Sequence, residues 1–221
     1  MESRETWALR AVAWELAAFA FRYPDAALAE AVASGEWADA AEEIASALGA
    51  GLPEGFADDA RAAVGSDAEE LLHALRTEAT HLFVGAPEPA CSPYEGVWRA
   101  ADDGVQALLF VNPHSMAVER FCRACGLGRP EGTNEPLDYA ATEAELLQYL
   151  ASVAAGIAEP VETSLDSASL PGGSIEGAYD QFMAEHALVW MPRFATKTAE
   201  MSRIPFYRAA GAYLAAVLGQ C

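Results

Sequence analysis

The residues most suggestive of chemistry are Cys122-Arg123-Ala124-Cys125, two thiols spaced as in a redox dithiol or as half of a zinc site. A tetrahedral zinc site needs two more ligands at useful spacing, and the sequence holds neither a second CxxC nor an HxxxH. A thioredoxin-like dithiol belongs to a βαβ setting, whereas this pair falls at the end of a helical stretch. The plainer reading is two half-buried helix cysteines. His73 and His81 lie eight residues apart on roughly one helical face, while His114 and His186 are isolated. Asp138, Glu143 and Glu145 are the best candidates for paired carboxylates. Asp138 and Glu145 are seven apart, which puts them on one face if a helix runs through both. Acids near a helix start are also favoured by the dipole alone. No GxxxxGK[ST] or GxGxxG supports phosphate binding.

The elements that must position these groups read as helices. The chain has 221 residues, of which 52% are apolar in type, with alanine commonest, and it lacks runs of alternating β-branched and aromatic residues. Trp7, Val12, Trp14, Leu16, Phe19 and Phe21 make Thr6 to Phe21 a helix apolar over most of its circumference, hence deeply buried, ended before Pro24. Short helices follow over Ala26 to Ala33 and Trp37 to Leu48, separated by Ser34-Gly35, and Gly49 to Gly55 reads as a turn region. Ser66 with Glu69 has the pattern of a capping box, opening a helix that stops at Gly85-Ala86-Pro87. Glu88 to Trp98 reads as loop, Gly104 to Val111 and Pro113 to Cys125 as short helices, and Arg129 to Thr133 as linker. Pro136 opens a long helix to about Gly156. Glu159 to Gly173 reads as a mobile loop. Ile175 to Trp190 forms a helix broken at Pro192, and Ile204 to Leu218 closes the chain. The expectation is all-α, with roughly ten helices in one domain over 1–221.

The charge balance is 13 basic against 33 acidic residues, a net −20. That excludes phosphate-backbone binding and favours cationic partners. The stretch Trp7 to Phe21 is too short to span a bilayer and contains Arg10 and Glu15, so neither stable membrane insertion nor a secretory leader is expected. Four cysteines in a chain of this length do not resemble a disulfide framework. The expected location is the cytoplasm.

Four segments resemble the TorD/DmsD/NarJ family of redox enzyme maturation chaperones. His81-Leu82-Phe83-Val84-Gly85 is similar to that family's LF-x-G element. Ser92-Pro93-Tyr94-Glu95-Gly96-Val97-Trp98 looks like its PYESVY loop. Asn134-Glu135-Pro136-Leu137-Asp138-Tyr139 resembles its E-P-x-D-H signature, with Tyr139 in place of the histidine. His186 with Trp190-Met191-Pro192-Arg193-Phe194, then Pro205-Phe206-Tyr207, resembles its H-x-x-W-x-P-x-F and FY ending. The motifs run in family order from about His81 to Leu218.

The resemblance implies an all-α protein with no catalytic residues, no metal and no cofactor of its own, monomeric or dimeric. Such proteins bind the twin-arginine signal peptide, or a related N-terminal segment, of the precursor of a molybdopterin oxidoreductase catalytic subunit. Binding delays export until the cofactor is inserted. A leader offers two arginines and an apolar stretch, so its receptor needs carboxylates beside an apolar groove. The candidate peptide-binding residues are Tyr94, Glu95, Trp98, Glu135, Pro136, Asp138 and Tyr139, with the aromatic rings available for guanidinium stacking. Trp190, Pro192, Phe194, Phe206 and Tyr207 read as core. Two alternatives stand beside this one. The first is a NarJ-like assembly factor for a non-exported reductase. The second is a thiol or metal protein using Cys122 and Cys125.

Overall fold

A computed structural model describes residues 2–105, 112–128, 136–160 and 170–220. Among them lie eleven α-helices, and the one extended pairing is an isolated antiparallel bridge between Tyr94 and Tyr139. The all-α expectation holds. Among the described residues no helix is long and apolar enough to cross a membrane.

The chain forms two compact units, Met1–Trp14 with Tyr94–Trp190, and Glu15–Pro93 with Met191–Cys221. The first holds the start of α1 (Arg4–Phe21), then α6 (Glu95–Asp102), α7 (Pro113–Ala124), α8 (Ala140–Ala155), α9 (Ile175–Phe182) and the first residues of α10 (Leu188–Met201). Its core joins Trp7 and Trp14 to Tyr179, whose hydroxyl accepts the Trp14 indole N–H at 2.7 Å. Phe121 meets Phe182 at 5.0 Å between ring centroids, and Leu146, Leu147 and Leu150 of α8 are buried.

The second unit holds the rest of α1 with α2 (Ala26–Ser34), α3 (Glu36–Leu48), α4 (Phe56–Arg61), α5 (Ala68–Ala79), the end of α10 and α11 (Pro205–Leu218). Two aromatic clusters fill it. Trp37 packs on Phe56, Phe206 and Tyr213, and Phe83 on Phe21, Phe194 and Tyr207. Trp190, Phe194, Phe206 and Tyr207 are core, as expected, whereas Pro192 is half-buried and Val12 of α1 is exposed. Gly35, at φ +89, makes the sharp junction of α2 and α3 that the Ser34-Gly35 pair announced.

Several local expectations are corrected. Asp67, not Ser66, caps α5, its carboxylate accepting the N–H groups of Glu69 and Glu70 at 3.0 Å each. The six-residue helix α4 follows directly after Gly55, missed because it has little more than one turn of pattern. The end of the Glu88 to Trp98 loop is already helix, since α6 begins at Glu95. The long helix starts at Ala140 rather than Pro136, because the backbone of Asp138 and Tyr139 is extended and committed to pairing with the Tyr94 segment. Asp138 and Glu145 therefore do not share a helical face. Pro192 does not break its helix. It lies within α10, one turn from the start, where only one ladder bond is lost, and a wide π turn at Met183–Ala187 immediately precedes that helix. The expected helix over Gly104 to Val111 lies outside the described residues beyond Val105, as do the linker Arg129 to Thr133 and most of the loop Glu159 to Gly173. The described end of that loop is a single 3₁₀ turn at Pro171–Gly173, followed by Ser174 capping α9.

Candidate functional site

Within the first unit, the Tyr94 segment crosses the segment that leads into α8. The amides opening a helix have no partner inside it. For α6 those partners come from the other segment. Glu95 N–H donates to the Asp138 carbonyl at 3.0 Å, and Gly96 N–H donates to Asp138 Oδ2 at 2.8 Å. Asp138 is thus an N-terminal cap supplied from 42 residues away, with its negative charge at the favourable end of the α6 dipole. Ser115 of α7 donates its hydroxyl to the same Oδ2 at 2.6 Å. Asn112 caps α7 by accepting His114 N–H at 2.9 Å, and its side-chain amide donates to the Gly96 carbonyl at 2.6 Å. The rings of Tyr94 and Tyr139 meet edge-on at 5.5 Å. Gly96 has no room for a side chain, since a Cβ there would stand 2.5 Å from Ser115 Oγ and 2.9 Å from Asp138 Oδ2.

Behind the crossing lies a buried polar cluster. Glu95 is fully buried and accepts from Arg99 at 2.9 Å on one oxygen and from His186 Nδ1 at 2.8 Å on the other. Arg99 also donates to the Glu185 carbonyl at 3.2 Å. The His186 ring is held between Phe121 and Phe182, stacked on the latter at 4.8 Å. Glu143 of α8 is buried and accepts the Trp190 indole N–H at 3.0 Å. Burial, and after it the charge of Glu95, push its carboxyl well above the ordinary glutamate range. Burial also raises Asp138, against the opposing effect of the Ser115 and Gly96 hydrogen bonds.

The structure brings Tyr94, Glu95, Asp138 and Tyr139 of the expected set together at the crossing. Pro136 lies two residues before Asp138, and Trp98 on the first turn of α6. Tyr94, Trp98, Pro136 and Tyr139 are partly exposed, whereas Glu95 and Asp138 are buried and engaged with neighbouring groups of their own chain. Glu135 lies outside the described residues. Sequence reasoning missed Glu143, His186 and Trp190 as members of one cluster. The available signal was the four-residue spacing of His186 and Trp190, which turns an imidazole and an indole N–H the same way toward two glutamates. Glu145, paired with Asp138 in the sequence reading, is exposed.

Cys122 and Cys125 are buried free thiols. Burial pushes Cys122 up to about 12 and Cys125 up to about 11, so both are protonated and weakly nucleophilic at neutral pH. Among the described residues no group of three or more His, Cys, Asp or Glu could hold a metal ion.

A family model described as nitrate reductase delta subunit matches residues 30–196, a span that includes both crossing segments, His186 and Trp190. No curated protein matches the chain.

Proposed function

We propose that this chain, which belongs to the nitrate reductase delta subunit family, is an assembly chaperone that binds an N-terminal segment of a molybdenum-containing oxidoreductase and holds it until the cofactor is inserted. The observation that carries this reading is the family match extending across the whole crossing. In this reading the encounter takes place in the cytoplasm. The partly exposed Tyr94, Trp98, Pro136 and Tyr139 supply the contact surface, and Glu135, next in sequence to Pro136, supplies a carboxylate. Glu95 and Asp138 hold that surface in place. The net charge of −20 suits an arginine-bearing partner.

Magnitudes divide the work. An exposed arginine–carboxylate pair contributes about 0–1 kcal/mol, and each buried leucine-sized side chain roughly 1.5–3 kcal/mol. Ordering a disordered segment costs about 2–5 kcal/mol. Apolar residues of the peptide therefore dominate affinity while acids set register and encounter rate. The expected dissociation constant is on the order of micromolar, about −8 kcal/mol.

The family match gives equal standing to a client with a twin-arginine leader and to a reductase whose N-terminal segment lacks one. Calorimetric titration of the full chain separates them. Leader peptides of the molybdoenzymes in the same genome are compared with their Arg-to-Ala versions, and with the N-terminal segment of a nitrate reductase catalytic subunit. Saturable binding of one peptide, weakened about tenfold by Trp98→Ala (about 1.4 kcal/mol), supports the proposal. Failure of every peptide to bind removes it.

A further inference from the structure

Glu95, Asp138 and Glu143 place three carboxyls in the interior of the first unit, none more than 1% exposed. The donors reaching them are few. Both oxygens of Glu95 are taken, by Arg99 and by His186. Asp138 receives two donors on Oδ2. Glu143 receives the Trp190 indole on Oε2, while its Oε1 is buried with no donor. The Glu143 and Glu95 carboxyls lie within hydrogen-bonding reach of each other.

The polar groups that act on Glu143 come from four stretches of the chain. They are Glu95 from α6, Asp138 from the segment before α8, the Cys122 thiol from α7 and Trp190 from α10. The Arg99 guanidinium and the His186 imidazole are both engaged with Glu95. Two ionised carboxylates in contact, out of water, repel each other and leave an oxygen of Glu143 unsatisfied. One proton removes both defects, because it turns an acceptor without a donor into a donor. Glu95, which already accepts on both oxygens, is the carboxylate of the pair.

We propose that Glu143 is a carboxylic acid at neutral pH, donating its proton to the Glu95 carboxylate, and that this shared proton locks the head of α8 to α6 and is released as pH rises. On release the proton passes to hydroxide and no other bond changes. The elevated position of the Glu143 carboxyl agrees. The sign follows from linkage. The folded chain holds a proton that the unfolded chain gives up at the ordinary value of 4.5. The stabilisation is complete below that value and is lost as pH rises through the higher folded value. The assignment does not depend on the peptide reading, since titrations with peptide can fail while the proton is present.

Infrared difference spectroscopy of the full chain tests it. The wild type should show the carbonyl stretch of a protonated carboxylic acid at neutral pH. The band should shift on labelling with 13C-carboxyl glutamate, persist in Asp138→Asn and vanish in Glu143→Gln. Glu143→Gln keeps an N–H donor toward Glu95, so its thermal midpoint should no longer fall as pH rises into the alkaline range. Absence of an acid band in the wild type, or a band insensitive to the glutamate label, overturns the proposal. The labelled wild type and Asp138→Asn decide the matter even if Glu143→Gln does not fold.

Discussion

Replacing Gly96 by alanine adds one methyl group at the most crowded point of the crossing. The new Cβ would lie 2.5 Å from Ser115 Oγ, 2.9 Å from Asp138 Oδ2 and 3.0 Å from Asn112 Cγ. None of these atoms is a free end. Ser115 and Asp138 are joined at 2.6 Å, Gly96 N–H reaches the same carboxylate oxygen at 2.8 Å, and Asn112 holds the Gly96 carbonyl at 2.6 Å. Relief requires at least one of these bonds to open. Overpacking costs about 1–3 kcal/mol, and loss of one hydrogen bond to a charged group about 1.5–3 kcal/mol. A total near 4 kcal/mol lowers the thermal midpoint of a chain of this size by roughly 8–16 °C, at 2–4 °C per kcal/mol. The assay is thermal and urea unfolding followed by circular dichroism, with Gly51→Ala, where nothing lies within 4 Å of the added carbon, as the control. In the same preparation Gly96→Ala should weaken peptide binding, because it displaces the Tyr94 segment. A midpoint within about 2 °C of wild type would show that the crossing yields freely, and the argument that Gly96 and Asp138 fix its geometry would fail.

Trp190→Phe removes the indole N–H that reaches the buried Glu143 carboxyl at 3.0 Å and should cost about 1–3 kcal/mol, read as a lower urea midpoint with an unchanged slope. An unchanged midpoint would mean that the indole N–H is dispensable. Burial raises Cys122 to about 12 and both Cys91 and Cys125 to about 11. Iodoacetamide at about pH 8 should therefore leave these thiols largely unmodified in the folded chain and alkylate them in urea. Rapid native modification of Cys122 and Cys125, read by peptide mass mapping, would restore the thiol-based alternative.

Helix content was legible because it rests on local pattern. Ser34-Gly35 marked the junction of α2 and α3, and Pro113 with Gly126 bracketed α7, since proline and glycine act through their own backbone. Helix starts governed by distant residues were not legible. Pro136 is a good first-turn residue, yet α8 begins at Ala140 because Asp138 spends its carbonyl and its side chain on α6. The same long-range use of polar groups hid the cluster. Nothing in the neighbourhood of Glu143 distinguishes it from Glu145. One is buried against Trp190 and the other exposed only once α10 and α8 are packed. The crossing residues Tyr94, Glu95, Asp138 and Tyr139 were found through the resemblance, which assigned them to peptide contact. The structure gives Glu95 and Asp138 internal partners that no spacing rule could supply.

The hydrogen bond from Trp14 to Tyr179 joins residues 165 apart in sequence, and those from Arg208 to Asp59 and from Arg203 to Glu78 span 149 and 125. A ribosome adding about 5–20 residues per second leaves Trp14 without its partner for roughly 8–33 s. Neither unit can close early, since each is built from an opening stretch and a much later one. During synthesis the nascent chain therefore carries exposed tryptophans, Trp7, Trp14 and Trp37, that become buried only when the final helices emerge. The long sequence separation of these partners thus keeps large aromatic side chains exposed for most of the chain's own translation, until its last third is made.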